Sequence, residues 1–554
     1  MKKIISLLLS LTLAALMLAP AFAAETQPYE PNGVSPTIYV LGFGSYIYDE
    51  DGNKVGPVDT PEGYLSDAVK DCIGAFAKAY LTGSEEDLEA YKEKLLSWVA
   101  PLYEDLLMGK DGYQQDNYHI WWQMPDKETN KKSGGTYPLR GYVFTYDWRL
   151  SPYDTAEKLA RYVDIVLEAT GAERVNLIGR CEGSCHVMTY LAVYGHDKVN
   201  KVLFHNPSCE GYLLTSGLFS GKLHFDATEI DRWLENNEGV FDMPEGEIFE
   251  MIKETLDLFA TMPGIDPSGL LLDDVYQKVL YPVLPDVLLA TYATYPGMWA
   301  MVSDENFDDA ISYVFSGREE EYAGLIERVT AYHDEVQTQI EEIIGEATDD
   351  GVQAGVMTKY GYPSVPIFED STELSDGFTK LTYSSLGATT STHTGTLDED
   401  YIALQEGAGL GKYISPDKKV DASTCILRDT TWIVGGLIHN DFPDSMETLA
   451  QTFLTSPVPM TVDLDPRYPQ FMLPNGNFEL VPMTEENASK STVGQELEVD
   501  FSDSLHAVIA RVRAFIEGFI RSLRELISGI VGHAKGTADP VTDPEPTTEP
   551  EPAP

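Results

Sequence analysis

Val175-Asn-Leu-Ile-Gly-Arg-Cys-Glu-Gly-Ser-Cys-His186 is the stretch that decides how this chain folds. Val175 to Ile178 is a strand-sized apolar run, Gly179 to Gly183 is a G-x-C-x-G turn, and Cys181 to Tyr194 has the length and residue types of a helix. Strand, sharp turn and helix in that order form a nucleophile elbow, with Cys181 at the tip where a serine normally stands. A residue at such a tip takes a strained backbone, so the positions two residues away must lack side chains, and Gly179 and Gly183 meet that demand. A helix beginning beneath the thiol lowers its pKa and favours the reactive thiolate. The plain alternative is a buried structural cysteine in a tight turn, so the surroundings of the motif must decide.

Upstream of the elbow, Pro36-Thr-Ile-Tyr-Val-Leu41 reads as a buried strand that runs into Gly42-Phe-Gly-Ser45. Glycines there let the backbone turn its amides toward a ligand. Segments 64–82 and 85–107 have helical periodicity, with Ser84-Glu-Glu-Asp87 resembling a capping box. Gly141 to Tyr146 reads as a strand ending in Asp147-Trp148-Arg149, and Asp154 to Thr170 as an amphipathic helix leading into the elbow strand. Lys201 to His205 is another strand. This alternation builds a mostly parallel sheet with helices on both faces, so the expected fold class is α/β. From Tyr212 to Tyr362 the sequence is mostly helical and rich in aromatic and aliphatic residues, which predicts a cap inserted over the site; its apolar stripes are more simply core than a lipid-binding face. Strand character returns at Val365 to Phe368 and at Thr430 to Val434.

Lys2 and Lys3, the apolar stretch Ile4 to Leu18 and Ala21-Phe22-Ala23 have the three parts of a secretory signal peptide, predicting cleavage after Ala23 and a secreted, extracellular protein. The resulting organisation is a leader at 1–23, the first part of the core at 24–211, the cap at 212–362 and the second part of the core at 363–490. An amphipathic helix at 503–535 and an acidic proline-rich tail at 537–554 follow. In that helix Leu505, Val508, Ile509, Val512, Ile516, Phe519, Ile520, Leu523 and Ile527 share a face, and arginines line the others. Residues 505–531 are therefore suited either to peripheral membrane contact or to docking on the catalytic domain.

A net charge of −51 argues against nucleic acid as a partner, because backbone phosphates would be repelled. Five cysteines in an exported chain leave at least one unpaired, and Cys181 is the candidate. Cys72, Cys209 and Cys425 read as buried thiols or disulfide partners, and Cys185 as packing. No metal-ligand spacing is present, Asp49 to Gly52 reads as a turn, and no cofactor is expected.

An elbow nucleophile needs a base and an orienting acid, in the chain order nucleophile, acid, histidine. Past the cap stand His393, His439, His506 and His533, of which the last two belong to the C-terminal helix. His439 follows the last strand-like segment; His393, with Glu369 or Asp370 as its acid, precedes it. His439 is therefore the expected base. The acid is sought in Ser415-Pro-Asp-Lys-Lys-Val-Asp-Ala-Ser423, which looks like the D-G-x-V loop ahead of the histidine in many lipases. Registering Val420 on that valine gives Asp417, with Asp421 as the runner-up.

Together, the G-F-G turn, Tyr146-Asp-Trp-Arg149, the elbow, the helical cap and the late Asp/His pair resemble the lecithin:cholesterol acyltransferase-like and lipase branch of the α/β-hydrolase superfamily, over roughly residues 36–455. The resemblance implies an acyl ester hydrolase or O-acyltransferase acting on an acyl ester or lipid-like substrate. It assigns Cys181, Asp417 and His439 as the triad and the backbone N–H groups of Phe43 and Glu182 as the oxyanion hole. Cysteine at the tip resembles dienelactone hydrolases and polyhydroxyalkanoate synthases instead. A non-catalytic secreted binding protein that keeps the fold is the contrasting expectation.

Overall fold

The computed structural model describes residues 35–43, 46–56, 64–122, 142–224, 272–364 and 366–492. The expected leader, the expected helix at 503–535 and the expected tail fall outside these residues. The strands are β1 (Thr37–Val40), β2 (Ile47–Tyr48), β3 (Lys54–Val55), β4 (Tyr142–Phe144), β5 (Val175–Arg180), β6 (Val199–His205), β7 (Gln353–Tyr360), β8 (Thr389–Thr390), β9 (Val420–Asp421), β10 (Thr431–Gly435), β11 (Phe471–Pro474) and β12 (Leu480–Pro482).

Eight of them form one sheet in the order β12-β11-β10-β7-β6-β5-β1-β4, in which only the β11–β12 pairing is antiparallel. This is the expected α/β fold. The chain leaves β1 for β4 on one side and returns to β5 on the other, so the strand order reverses between β1 and β5. Crevices at the carboxyl ends of strands flanking such a reversal are where open α/β sheets bind ligands. Cys181 stands at the carboxyl end of β5, beside Gly42 after β1.

Side chains alternate across the sheet, as the period of a strand requires. Ile38, Val40, Leu177, Val202, Phe204 and Val356 enter one apolar cluster; Tyr39, Ile178, Leu203, Met357, Trp432 and Val434 enter another on the opposite face. The helix Asp444–Thr455 covers the second face through Met446, Leu449 and Phe453. Over the first face lie the helices Pro152–Thr170 and Gly183–Tyr194, the paired helices Tyr64–Thr82 and Glu85–Val99, and the inserted helices between β6 and β7. Trp299, Phe315, Leu325 and Tyr332 of the insert belong to the same cluster as Ile38 and Val40, so the insert shares the core of the sheet, and its apolar stripes are core.

The sequence-based boundary of the insert needs correction. Gln353-Ala-Gly-Val-Met-Thr-Lys-Tyr360 is not the end of a cap but β7, a central strand between β6 and β10. Its glycine and lysine hide the strand pattern, yet all of it except Gln353 is buried. A Cβ on Gly355 would lie 3.0 Å from the Phe453 ring, and the Lys359 ammonium donates to the carbonyl oxygen of His439 at 2.6 Å. Ile367 and Phe368, expected in a strand, are buried outside the sheet, where Phe368 makes an isolated bridge with Leu223.

Candidate active site

The elbow is built as its sequence demands. Cys181 has φ +48°, a left-handed conformation that costs a side-chain-bearing residue and is held by its neighbours. Its N–H donates to the carbonyl of His205 at 3.2 Å, and its own carbonyl accepts from Ser184 N–H at 3.0 Å and Ser184 Oγ at 2.6 Å. A Cβ on Gly183 would stand 2.4 Å from the carbonyl oxygens of Val40 and Leu41, and one on Gly179 would stand 2.9 Å from Ser184 Cα. The two glycines are thus fixed by β1 and by the helix start. A third glycine does the same work from β1, since a Cβ on Gly42 would lie 3.0 Å from Cys181 Cβ.

His439 follows β10, and its imidazole acts on the Cys181 thiol. Its Nδ1 lies 2.7 Å from Asp376 Oδ2, and its backbone N–H donates to the Asp376 carbonyl at 3.0 Å. Asp376 is fully buried and also accepts the N–H groups of Thr379 at 2.8 Å and Phe378 at 3.1 Å on Oδ1. The Asn206 amide, after β6, donates to Asp376 Oδ2 and sits 2.8 Å from His439 Nδ1. Tyr212 and Phe378 flank the imidazole edge-on, at 6.0 and 5.9 Å between ring centres. Cys181, His439 and Asp376 therefore form one buried chain at the carboxyl ends of β5, β10 and β7.

Asp417, the expected acid, is elsewhere. It accepts Tyr360 Oη and Ser415 Oγ, each at 2.5 Å, and Lys419 N–H at 3.1 Å, and so closes the turn before β9, where Lys418 has φ +60°. Asp421 accepts Ser423 N–H and Tyr401 Oη, both at 2.8 Å. Neither carboxylate touches His439. His393 also lies apart, with its carbonyl on Lys419 Nζ. The acid was missed because β7 was missed: Ser375-Asp-Gly377 is a turn downstream of that strand, and its aspartate becomes visible only once β7 is counted.

The electrostatics favour a thiolate–imidazolium pair. Burial opposes charge on Cys181, but the charge and hydrogen bond of His439, the Arg180 guanidinium and the Glu182 N–H outweigh it and hold the thiol below its ordinary range. Burial likewise opposes the imidazolium, yet Asp376 and Cys181 push His439 up to about 9. Asp376 is kept below the usual carboxylate range: burial is opposed by His439, by the Thr379 N–H and by Lys359.

Glu182 follows Cys181 at the helix start, and Phe43 follows Gly42, the residue packed on Cys181, at the end of β1. The Glu182 N–H points at the sulfur. The Tyr146-Asp-Trp-Arg149 segment supports both. Tyr146 Oη donates to the Leu41 carbonyl at 2.6 Å and lies 3.0 Å from Glu182 Oε2, while Trp148 packs on the Phe43 ring at 5.6 Å. The fully buried Arg149 forks onto Asp147 at 2.7–3.2 Å and reaches Asp116 at 3.1 Å and the Leu106 carbonyl at 3.0 Å. Burial pushes the Glu182 carboxyl well above its usual range and His186, 3.6 Å away, down to about 3, so burial disfavours charge on both members of this pair behind the elbow.

All five cysteines are buried and unpaired. Among the described residues no cluster of His, Cys, Asp or Glu could hold a metal ion, and no helix is long and apolar enough to cross a membrane.

No protein-family model and no curated protein sequence matches the chain. Among solved structures it is similar to a chain of the Tle4–Tli4 complex, at 12% identity and a TM-score of 0.22, over 59% of this chain and 75% of that one. The α/β assignment accordingly stands on the sheet order and the elbow.

Proposed function

We propose that this protein is a secreted acyl ester hydrolase or O-acyltransferase of the lecithin:cholesterol acyltransferase-like and lipase type, working through Cys181, His439 and Asp376. The observation that carries this reading is the 2.7 Å contact of Asp376 with His439, whose imidazole acts on the sulfur of a cysteine held at φ +48° on a strand-to-helix elbow. A structural cysteine has no need of a buried histidine–aspartate pair aimed at its sulfur, and that favours catalysis over a binding protein that only keeps the fold.

In this mechanism the Cys181 proton passes to His439 Nε2, and the thiolate adds to the acyl carbonyl. The N–H groups of Glu182 and Phe43 receive the oxyanion, each donor worth on the order of a hundredfold in rate. His439 returns its proton to the departing alkoxide, leaving a thioester on Cys181. Water, or an acceptor hydroxyl, then loses a proton to His439 as it attacks the thioester and frees the thiol. Asp376 stays ionised throughout and holds the ring in the productive tautomer. For residues 505–531 the proposal is peripheral membrane contact that brings the enzyme to its substrate; vesicle co-sedimentation of the full chain against a chain ending at Ser504 tests it, and equal partitioning would remove it.

The test of the activity is hydrolysis of short p-nitrophenyl esters with intact-mass detection of a thioester at Cys181. An acyl adduct that builds up in the parent and is absent from Cys181→Ala supports the proposal. A Cys181 inert to both esters and small thiol reagents would sink it.

A further inference from the structure

Arg180, the last residue of β5, is 94% buried by its 6% exposure, and no carboxylate, carbonyl or hydroxyl among the described residues receives its guanidinium. Its Cζ lies 3.7 Å from the centre of the Phe442 ring. A guanidinium carries five donors, and none of those of Arg180 is given to an acceptor among the described residues. A second cation accompanies it. Lys359 Nζ lies 3.6 Å from the centre of the same ring, is fully buried, donates to the His439 carbonyl, and feels the charges of Asp376 and Asp441. The sheet register explains the grouping. Arg180 pairs with His205, His205 pairs with Met357, and Lys359 follows two residues on, so all three basic side chains leave one face at adjacent strand ends. The His205 ring meets Phe442 edge-on at 4.7 Å. Arg180 immediately precedes Cys181 and acts electrostatically on its sulfur.

We infer that Arg180 is the anion-binding residue of a subsite beside Cys181, and that the substrate carries a carboxylate close to the carbonyl the thiol attacks. A planar carboxylate matches the guanidinium fork and supplies the acceptors it lacks. The chain's net charge of −51 does not oppose this at short range, because fields beyond about 8 Å are screened at physiological ionic strength. The inference rests on Cys181 being the reacting group, as proposed above.

The experiment compares iodoacetate, which carries a carboxylate, with iodoacetamide, which is neutral, as alkylators of Cys181, using glutathione as the free-thiol reference. The iodoacetate-to-iodoacetamide rate ratio at Cys181 is expected to exceed that of glutathione by about tenfold or more, the gain of one charge-assisted contact. It should fall to the glutathione value in Arg180→Gln and survive in part in Arg180→Lys. Losing the Arg180 charge also changes the thiolate fraction of Cys181, but this acts equally on both reagents and cancels in their ratio, and an iodoacetamide reaction confined to Cys181 in Arg180→Gln shows that the fold and thiol are intact. A parent ratio equal to that of glutathione overturns the inference. A raised ratio in a protein that hydrolyses no ester sinks the proposed activity and leaves the subsite standing. Should neither reagent modify Cys181, calorimetric titration of Cys181→Ala with succinate decides: binding lost on adding Arg180→Gln supports the subsite, and equal heats overturn it.

Discussion

Asp376 Oδ2 lies 2.7 Å from His439 Nδ1, although the two residues are 63 positions apart, because β7 and β10 are neighbouring parallel strands whose following loops emerge at the same sheet edge. The proposed acid and base are thus brought together by strand pairing. Asp376→Asn keeps the shape of the acid but removes the charge that fixes the imidazole, and kcat on a short ester should fall on the order of 10³–10⁴-fold. Asp417→Asn should leave kcat within about threefold and cost about 1–2 kcal/mol of stability, through the weakened Tyr360 hydrogen bond. The reverse ranking of the two variants in steady-state kinetics would return the role to Asp417.

How far the site could be read from sequence follows from the same pair. The elbow was legible because three steric demands, an apolar strand, two glycines and a helix, fall in twelve consecutive residues. His439 was legible because Thr431 to Gly435 is an apolar strand and few histidines follow it. Asp376 was not. Its strand contains Gly355 and Lys359, whose fitness for a buried position depends on Phe453 and on the His439 carbonyl, partners remote in sequence. Arg180 escaped for the same reason: its burial depends on Phe442, and nothing local marks an arginine as enclosed.

The charge state of the thiol gives a prediction in pH. With its pKa below the ordinary thiol value, Cys181 should be alkylated by iodoacetamide at pH values where a free thiol near 8.5 is mostly protonated. In His439→Gln the burial that disfavours the thiolate remains while the imidazolium is gone, so the midpoint should move upward. Each unit of that shift removes about tenfold of the thiolate at any pH below both midpoints. A rate–pH profile unchanged by His439→Gln would mean that the histidine does not act on the sulfur.

Arg149 gives the clearest prediction on stability. It is fully buried, charged and bonded to Asp147, Asp116 and the Leu106 carbonyl, in the segment that seats Trp148 on Phe43. Arg149→Met leaves the buried Asp147 carboxylate without its partner and should cost about 3–5 kcal/mol. Pairing it with Asp147→Leu should recover part of the loss, because breaking a buried pair costs more than replacing it. Denaturant unfolding of the single and double variants measures this, and additive losses would contradict it.

Cys181→Ser separates a site that needs sulfur from one that only tolerates it. In the parent the thiolate can form before substrate binds, and the His439 proton is the one delivered to the leaving alkoxide. Activity should therefore fall as pH rises through about 9, where the imidazolium loses that proton. A serine hydroxyl does not ionise in this range, so His439 must be neutral to accept its proton. Without the thiolate, one of the influences holding His439 high is also lost, and its pKa should drop. The serine variant should then show activity that increases with pH and levels off, with no decline above 9. The pH dependence of kcat/KM for parent and variant on one short ester decides the matter: identical profiles would mean that the parent's histidine already works as a neutral base and that the ion pair plays no part in the reaction.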